Sequence, residues 1–484
     1  MIVVHVGILQ IYMQGYALMA DENDNTAGQL RERHVSMIAI GGVIGAGLFV
    51  GSSAAISRAG PAVLLAYVFA GVQTMMIMRM LGEMVLNAPQ SGSFIIQIRR
   101  GLGGHAAFVA GWAYWILWAI IAGTEVIAGS GLIENWIGLP RVAIEGILIA
   151  IMTASNLFSV RGYGEFEYWL SFMKISAVCI FITVCILSIF GFINTAPIQS
   201  AVTMRNVLPH GVLAVITIIP TIMMSLTGSE IATVAALETR NPSASVARAA
   251  NSVPIKILLF YVISVALILY ILPVNEVHSG FSPFLAALNQ LHIPYATTAM
   301  AFVMFIAVMS CLNSAIYVTS RVMMEMATFG DAPFFLARRG STGVPTAAII
   351  MAAGVEAIVA LFSTLSPGGI FTFLLSASGA LILFDYFLAA LAQIRLRKKM
   401  IGQNQTPDCP MWLFPTLSYL TAGSFLLVLV IMMFEAQTRF EIEFSSFIVI
   451  VITSISLLRS RCSGMKPNDG SIIRQDVHEK PGIG

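Results

Sequence analysis

The chain has 484 residues, of which 57% are hydrophobic and 10% are charged, and its mean hydropathy is +0.86. Soluble domains carry about 25% charged residues, so a chain this apolar cannot cover its surface in water and needs lipid as its solvent. A net charge of +2 gives no basis for nucleic-acid binding. The five cysteines show no CxxC or other ligand spacing, and neither a disulfide framework, a metal site nor a bound cofactor is predicted.

The first 36 residues are predicted to form a cytoplasmic N-terminal segment. Residues 1–18 within it are apolar, but they lack the basic region and the cleavage site of a signal peptide. We interpret them as a start-site artefact, because the polar stretch that follows Met19 reads as a natural cytoplasmic lead. A peripheral amphipathic segment is the alternative, and N-terminal sequencing of the native protein distinguishes the two.

Residues 37–460 are predicted to form one membrane-embedded domain of about twelve helices, because a helix needs about 20 mainly apolar residues to cross a bilayer. Residues 461–484 are predicted to be a cytoplasmic tail. The predicted spans are residues 37–57, 61–84, 106–135, 142–160, 167–193, 211–237, 254–273, 294–320, 345–364, 369–393, 412–434 and 444–459.

The distribution of Lys and Arg predicts how these spans are oriented. If the residues before the first span are cytoplasmic, 21 of the 26 Lys and Arg residues lie on the cytoplasmic side. Four lie outside, and Lys174 lies within the fifth span. The four outer residues are Arg58, Arg141, Arg205 and Arg439. Both termini are therefore predicted to be cytoplasmic, in a multi-pass protein of the bacterial inner membrane.

Two of the predicted spans are interrupted. The first contains the glycine-rich residues 41–49, and the sixth contains Pro220 followed by residues 225–230. Breaks five helices apart are typical of a five-plus-five inverted repeat, whose broken helices meet at the membrane midplane. An unwound turn exposes backbone N–H groups, so the first break is predicted to bind a carboxylate. Close helix packing through the GxxxG of Gly41 and Gly45 is the alternative explanation.

Ionisable residues at bilayer depth are functional candidates, because a charge there costs several kcal/mol. Lys174 lies too deep to reach the interface and is predicted to load and release a proton; a static ion pair or a carbonyl anchor is the alternative. Glu230 and Glu125, in the sixth and third spans, are interpreted as facing a substrate amine or as pairing with Lys174 or a hydroxyl. Glu356 and Asp385 also lie in predicted spans, and we assign them no role.

Several short stretches are recognisable along residues 31–460. They are RHV at 33–35, GVIGAGLFVGSS at 42–53, GPAVLLAY at 60–67, MRML at 78–81, SGSF at 91–94, YGEFE at 163–167, SCLNSA at 310–315, GDAP at 330–333 and QIRLR at 393–397. Through them the chain resembles the amino-acid permeases of the APC superfamily, in particular the bacterial amino-acid transporter group. Within that group the resemblance is to the 4-aminobutyrate (GABA) permeases.

The resemblance implies an all-α LeuT-type fold, with two inverted five-helix repeats, broken helices one and six, and two extra C-terminal helices. It also implies alternating access driven by the proton gradient, with an amino acid and H⁺ as partners and no ATP. The resemblance implies a proton-coupling role for Lys174, which matches a lysine that replaces a sodium ion in several relatives. It implies substrate binding by Gly45, Ala46 and Gly47 and by Ser225, Leu226 and Thr227. From their positions in the spans, Glu125 is added to the proton-coupling candidates, and Gly228 and Glu230 are added to the substrate-binding candidates.

The sequence departs from this pattern in the sixth-span break. Met224 and Leu226 stand where the resemblance predicts aromatic residues, and Gly47 stands where it suggests serine. Such changes alter selectivity for the substrate side chain more readily than they alter the fold. The predicted function is proton-coupled uptake of GABA or a related small amino acid. An amino-acid exchanger is the first alternative, and a non-transporting membrane sensor derived from a permease is the second. The sequence contains no nucleotide-binding fingerprint and no catalytic constellation, so an enzyme is not predicted.

Overall fold

The computed structural model describes residues 37, 41–88, 93–158, 160–193, 208–231, 242–340, 343–363, 367–407, 409–436 and 438–463. All regular structure within these ranges is helical, and they contain no β-strand. The predicted N-terminal segment, residues 1–36, lies outside the described residues, as do residues 464–484 of the predicted tail.

Sixteen α-helices are formed within the described part of the chain. They are α1 (Ala46–Phe49), α2 (Gly51–Ala59), α3 (Val63–Leu86), α4 (Phe94–Leu102), α5 (Gly104–Ile137), α6 (Arg141–Phe158), α7 (Val160–Ile189), α8 (Gly211–Thr217), α9 (Ile219–Ser225), α10 (Pro242–Ile271), α11 (Pro283–Gln290), α12 (Ala296–Thr328), α13 (Thr346–Ser363), α14 (Pro367–Gly402), α15 (Thr416–Phe434) and α16 (Arg439–Ser463).

Eight of the described segments are long and apolar enough to cross a membrane. They are Ala46–Leu86, Gly104–Glu134, Glu167–Ile189, Pro254–Ile271, Ala296–Thr328, Gly369–Gly402, Thr416–Phe434 and Arg439–Ser460. The first of them joins two predicted spans, because only a 3-10 turn at Gly60–Ala62 separates α2 from α3. Two shorter apolar stretches, Gly211–Ser225 and Thr346–Phe362, coincide with predicted spans six and nine. An all-helical multi-pass architecture is confirmed, whereas the count of twelve spans and the inverted repeat stay predictions.

Local chemistry sets where individual helices begin and end. The Ser93 hydroxyl accepts a hydrogen bond from the N–H of Ile95 at the start of α4 (3.2 Å), which satisfies one of the unpaired donors of the first turn. The long helix α5 ends at Gly138, whose left-handed conformation (φ 68°, ψ 15°) lets its N–H bond to the carbonyl of Glu134. Such signals fix the start of α4 and the end of α5.

The helices divide into a central and a peripheral group. In α5 and α14 the most apolar stretches are each 78% buried by the rest of the protein, and in α12 the value is 72%. In α15 and α16 the values are 33% and 28%, so most of their apolar side chains face outward. Outward-facing apolar surface on helices long enough to cross a membrane is typical of a membrane contact. The central helices α5, α12 and α14 surround the two interrupted segments.

Candidate functional site

The first break lies at Ile44 and Gly45, between a helical turn at residues 41–43 and α1. Gly45 is extended there, with φ −145° and ψ −149°. A Cβ atom at Gly45 would lie 2.4 Å from Cys311 Sγ and 2.7 Å from Glu125 Oε1. Glycine is therefore required by the close approach of α5 and α12 to the break rather than by its backbone angles.

A carboxylate of the protein occupies the backbone donor of this break. The N–H of Ala46, the first residue of α1, donates to Glu125 Oε1 at 3.2 Å and to Oε2 at 3.1 Å. Glu125 is 2% exposed, so this bond forms away from bulk water. Hydrogen bonds between N–H groups and ionised carboxylates are about twice as strong as neutral ones. The position predicted to bind a substrate carboxylate is thus chemically suited to a carboxylate.

The two breaks touch each other through their backbones. Gly228 follows α9 with φ +118°, and a Cβ there would lie 2.7 Å from the carbonyl oxygen of Gly42. On the other side of the crossing, a Cβ on Gly47 would lie 2.9 Å from Ser225 Cα. Gly228 therefore requires glycine on two grounds, since its φ disfavours L-residues and no space exists for a side chain. The two segments approach to a distance that side chains would prevent.

Hydrogen bonds join the segments at the crossing. The Tyr261 hydroxyl of α10 lies 3.0 Å from the carbonyl oxygen of Val43 and 2.6 Å from that of Ser225. The Ser225 hydroxyl lies 3.1 Å from the carbonyl oxygen of Gly47 and 3.0 Å from that of Thr221. The Tyr261 contact uses the carbonyl of Ser225, the last residue of α9, where a helix end leaves carbonyl groups without helical partners.

Lys174 belongs to a buried group that we call the lysine cluster: Lys174, Glu167, Ser171, Ser310 and the carbonyl of Gly41. Lys174 Nζ donates to the Gly41 oxygen and lies 3.6 Å from Glu167 Oε1, with both side chains 0% exposed. Hydroxyls of Ser310 (2.5 Å) and Ser171 (3.3 Å) also donate to Glu167 Oε1. The cluster anchors α7 and α12 to the backbone just before the first break.

Glu230 lies in a second buried group, on the far side of α9. Its carboxylate accepts hydrogen bonds from the Tyr114 hydroxyl (3.1 Å), the Tyr386 hydroxyl (3.0 Å) and the N–H of Gly228 (2.9 Å). The tyrosines come from α5 and α14, so this carboxylate links three parts of the fold. Leu226 and Thr227, between Gly228 and α9, are buried, and the Thr227 hydroxyl donates to the Met223 carbonyl at 3.0 Å.

The predicted site residues fall into four groups, of which three adjoin the first break. Gly45 and Ala46 contact the Glu125 carboxylate, and Gly47 contacts Ser225. Lys174 donates to the backbone carbonyl of Gly41, before the break. Lys174 and Glu125 interact electrostatically without a direct bond being formed between them. Glu230 bonds to tyrosines rather than to Lys174, and its contact with a substrate amine stays a prediction. Within the described ranges no group of three or more His, Cys, Asp and Glu residues could hold a metal ion.

Sequence reasoning missed several residues of these groups. Glu167 lies seven positions before Lys174, a spacing that puts both on one helix face, but it stands at the edge of its span and reads as interfacial. Tyr261 and Cys311 carry no local signal, because their partners lie on segments remote in sequence. The tyrosines that bond to Glu230, Tyr114 and Tyr386, are likewise indistinguishable by sequence from tyrosines that only pack.

The fold and this site define a class of protein: a polytopic membrane transport protein whose interrupted helices meet among buried charges. Residues 34–462 match the family model for amino acid permeases, and the chain belongs to that family. The predicted resemblance to APC amino-acid permeases is therefore confirmed over nearly the whole chain.

Three relatives illustrate the match. A gamma-aminobutyric acid permease of Bacillus subtilis (strain 168) is 39% identical over 456 residues, which cover 92% of this chain and 97% of that permease. A gamma-aminobutyric acid permease of Escherichia coli (strain K12) is 36% identical over 430 residues, 88% of this chain and 92% of the relative. The aromatic amino acid transport protein AroP of Corynebacterium glutamicum is 30% identical over 461 residues, 93% and 100% of the two chains. These relatives are permeases and transport proteins, so the prediction that the chain is not an enzyme is confirmed.

Proposed function

We propose that this chain is a secondary active transporter that takes up 4-aminobutyrate or a related small amino acid together with protons. Transport proceeds by alternating access across the bacterial inner membrane. Two permeases that are 39% and 36% identical are named for gamma-aminobutyric acid, which supports this choice of substrate. The relative named for aromatic amino acids is 30% identical, so an aromatic substrate is the second candidate.

The bond between Ala46 N–H and the Glu125 carboxylate carries the proposal. A proton bound by Glu125 removes the negative charge that strengthens this bond. The N–H then becomes available to the carboxylate of a zwitterionic amino acid. One proton and one substrate carboxylate enter together. The substrate carboxylate then replaces, next to Ala46, the negative charge that protonation removes from Glu125. Coupling follows because neither the proton nor the substrate alone satisfies both groups in the buried site.

Lys174 extends this coupling to the backbone of the first span. Its ammonium group binds the Gly41 carbonyl and is attracted by the carboxylates of both Glu167 and Glu125. Neutralising Glu125 removes one of these attractions and leaves the other. The force on the backbone before the break therefore depends on whether Glu125 holds a proton.

Transport in proteoliposomes tests the proposal. We expect an inward proton gradient to drive accumulation of radiolabelled 4-aminobutyrate by the purified full-length protein without internal substrate. Unlabelled short ω-amino acids should compete, and aromatic amino acids should not. Gly45→Ala should abolish uptake because its Cβ meets Glu125 and Cys311, whereas Gly423→Ala, in open space on α15, should retain it.

Other outcomes would replace parts of the proposal. Uptake that requires internal amino acid and ignores the pH gradient would assign the protein as an exchanger. Competition by aromatic amino acids alone would change the substrate class. Ligand-induced thermal stabilisation without transport of any amino acid would support the sensor alternative. Normal affinity and uptake in Gly45→Ala would contradict substrate binding at this backbone position and favour a packing role for the glycines.

A further inference from the structure

Asp385 of α14 is a buried carboxyl group that the proposed mechanism does not use. It is 0% exposed, and neither of its oxygens has a hydrogen-bond partner among the residues that the structure describes. An ionised carboxylate in such surroundings costs several kcal/mol, because nothing replaces the water that it loses. The group therefore needs either a bound cation or a proton of its own.

Asp385 directly precedes Tyr386, whose hydroxyl donates to Glu230 Oε2 at 3.0 Å, and the carboxyl group of Glu230 is an electrostatic neighbour of Asp385. Glu230 accepts hydrogen bonds on both oxygens, from two tyrosine hydroxyls and one backbone N–H. Donors on both oxygens favour the ionised form of a carboxyl group. Two carboxylates that share one buried site do not both ionise, and the one without donors is the one that keeps a proton. Here that group is Asp385.

Two cations on α14 and the helices packed against it, Arg397 and Arg99, are paired with carboxylates away from Asp385. Arg397 lies twelve residues after Asp385 on α14, about 18 Å along the helix, and is 3.7 Å from Glu83 of α3. Arg99 of α4 pairs with Asp331. The titratable groups around Asp385 in the described part of the chain are Glu230 and Tyr386, with Tyr114 beyond Glu230. None of these supplies a positive charge.

We propose that Asp385 and Glu230 form a proton-binding pair, separate from the lysine cluster, and that its proton, carried on Asp385, crosses the membrane with the substrate. We call Asp385 and Glu230 the carboxyl pair. The transported-proton half of the inference rests on the proposed function, and the bound-proton half does not. Release breaks only the O–H bond of Asp385 and passes H⁺ to water on the side to which the pair opens.

The place of the pair in the fold suits this role. Glu230 follows the sixth-span break by a few residues, and its donor Gly228 touches the first span at Gly42. On α14, Ser376 bonds to Thr221 of α9, and Asp385 lies nine residues further, about 13 Å along the axis. A relative movement of α9 and α14 therefore changes the surroundings of the pair and of the crossing together.

Infrared spectroscopy tests whether the proton is bound. We expect purified full-length protein in lipid at neutral pH to show the C=O stretch of a protonated aspartic acid. Carbon-13 labelling of aspartate should shift this band, and Asp385 is the only Asp within the predicted spans. Asp385→Asn should remove it. Glu356→Gln, which alters another buried carboxyl group without partners, should leave the labelled band in place. No aspartate-dependent band in the wild-type protein would overturn the pair.

Accumulation ratios test whether the proton moves. Each coupled proton multiplies the equilibrium ratio of internal to external substrate about tenfold per pH unit, because one unit corresponds to about 1.4 kcal/mol. With the membrane potential clamped at zero and one pH unit imposed, Asp385→Asn should lower the ratio about tenfold. Glu356→Gln should leave the ratio unchanged. Because an asparagine replaces a neutral acid, the variant should keep wild-type thermal stability.

The outcomes separate this inference from the proposed function. If wild-type protein shows the infrared band of Asp385 but Asp385→Asn has an unchanged accumulation ratio, the proposal that this proton is transported would be overturned. Wild-type protein that never responds to the pH gradient, yet shows the band, would overturn proton symport and the transported proton while supporting the bound one. A lower ratio in Asp385→Asn, with the band present in wild type, supports both halves.

Discussion

Two buried groups of ionisable residues flank the crossing of the interrupted segments. One combines opposite charges, and the other combines two acids. In the lysine cluster, Lys174 lies 3.6 Å from Glu167, and the opposite charges compensate each other inside the protein. In the carboxyl pair, Asp385 interacts with Glu230, and the two groups have charges of the same sign when ionised. The charges of the first group balance within the protein. The second is complete only with a proton.

The difference gives the two groups different responses to substitution. Removing one partner of a buried ion pair leaves an uncompensated charge, which is strongly destabilising. In Asp385→Asn, a neutral amide replaces a protonated carboxyl group, which is also neutral. We therefore expect substitution of Lys174 to lower both stability and coupling, and substitution of Asp385 to lower coupling alone. The following variants test that contrast, beginning with the largest effect.

Lys174→Ala should break the lysine cluster. It leaves Glu167 buried without its cation, at a cost of about 3–5 kcal/mol in the free energy of unfolding. Proton-driven accumulation should be abolished, while some exchange remains. Thermal unfolding in detergent and uptake in proteoliposomes measure the two effects.

The double variant Lys174→Ala with Glu167→Gln provides the control, because it also removes the stranded charge. It should recover much of the lost stability without recovering accumulation. Undiminished uptake against a gradient in Lys174→Ala would eliminate its coupling role.

Gly228→Ala should force the two interrupted segments apart, and with them the lysine cluster and the carboxyl pair. The new Cβ would lie 2.7 Å from the Gly42 oxygen at a φ of +118°. The backbone strain alone is worth about 1–3 kcal/mol. Exchange should fall sharply, and thermal stability should fall with it. Gly423→Ala, where a Cβ meets no atom within 4 Å, should change neither quantity. Equal behaviour of the two alanine variants would mean that the close crossing is unnecessary.

Tyr386→Phe should weaken the carboxyl pair without touching the lysine cluster. It removes one donor from the Glu230 carboxylate (3.0 Å), and a hydrogen bond to a charged group contributes about 1.5–3 kcal/mol. Tyr67→Phe is the matched control, because the buried Tyr67 hydroxyl has no hydrogen-bond partner. Thermal unfolding should distinguish the two variants. Comparable losses in both would show that the bond to Glu230 adds nothing to stability.

Glu356→Gln should have the smallest effect. Glu356 of α13 resembles Asp385 in being buried with both oxygens unpartnered, but in the described residues no second carboxyl group acts on it. We expect stability within about 0.5 kcal/mol of wild type, as for substitutions that remove no interaction. The accumulation ratio should not change. A tenfold loss of accumulation here would assign coupling to isolated buried acids in general and remove the special status of the carboxyl pair.

The fold was largely predictable because apolar length is a property of single segments. Most of the predicted spans coincide with helices, and the predicted breaks at Gly45 and after Pro220 coincide with interruptions of the helices. The reason for the glycine at position 45 was not predictable. It lies in contacts with Glu125 and Cys311, 80 and 266 residues away in sequence.

The chemistry of the site was predictable only where it is local. Lys174 stood out by its depth, and a carbonyl anchor was one of its predicted alternatives; the Gly41 carbonyl is indeed its acceptor. Asp385 was recognised as an acid within a predicted span but received no role, because the role proposed for it depends on Glu230 from another span. A buried acid has the same appearance in the sequence whether its neighbour is a lysine or a second acid.

Tyr261 has one further consequence for the crossing. Its hydroxyl lies within hydrogen-bond distance of two carbonyl oxygens, those of Val43 and Ser225, yet it has a single hydrogen to donate. The hydroxyl donates to only one of the two oxygens at any instant. The contact can therefore act as a hinge between the two segments and does not fix them rigidly. Parting the two half-helices therefore costs no net hydrogen bond of Tyr261, because its hydroxyl keeps one acceptor. Tyr261 can then follow either half-helix while it remains hydrogen-bonded.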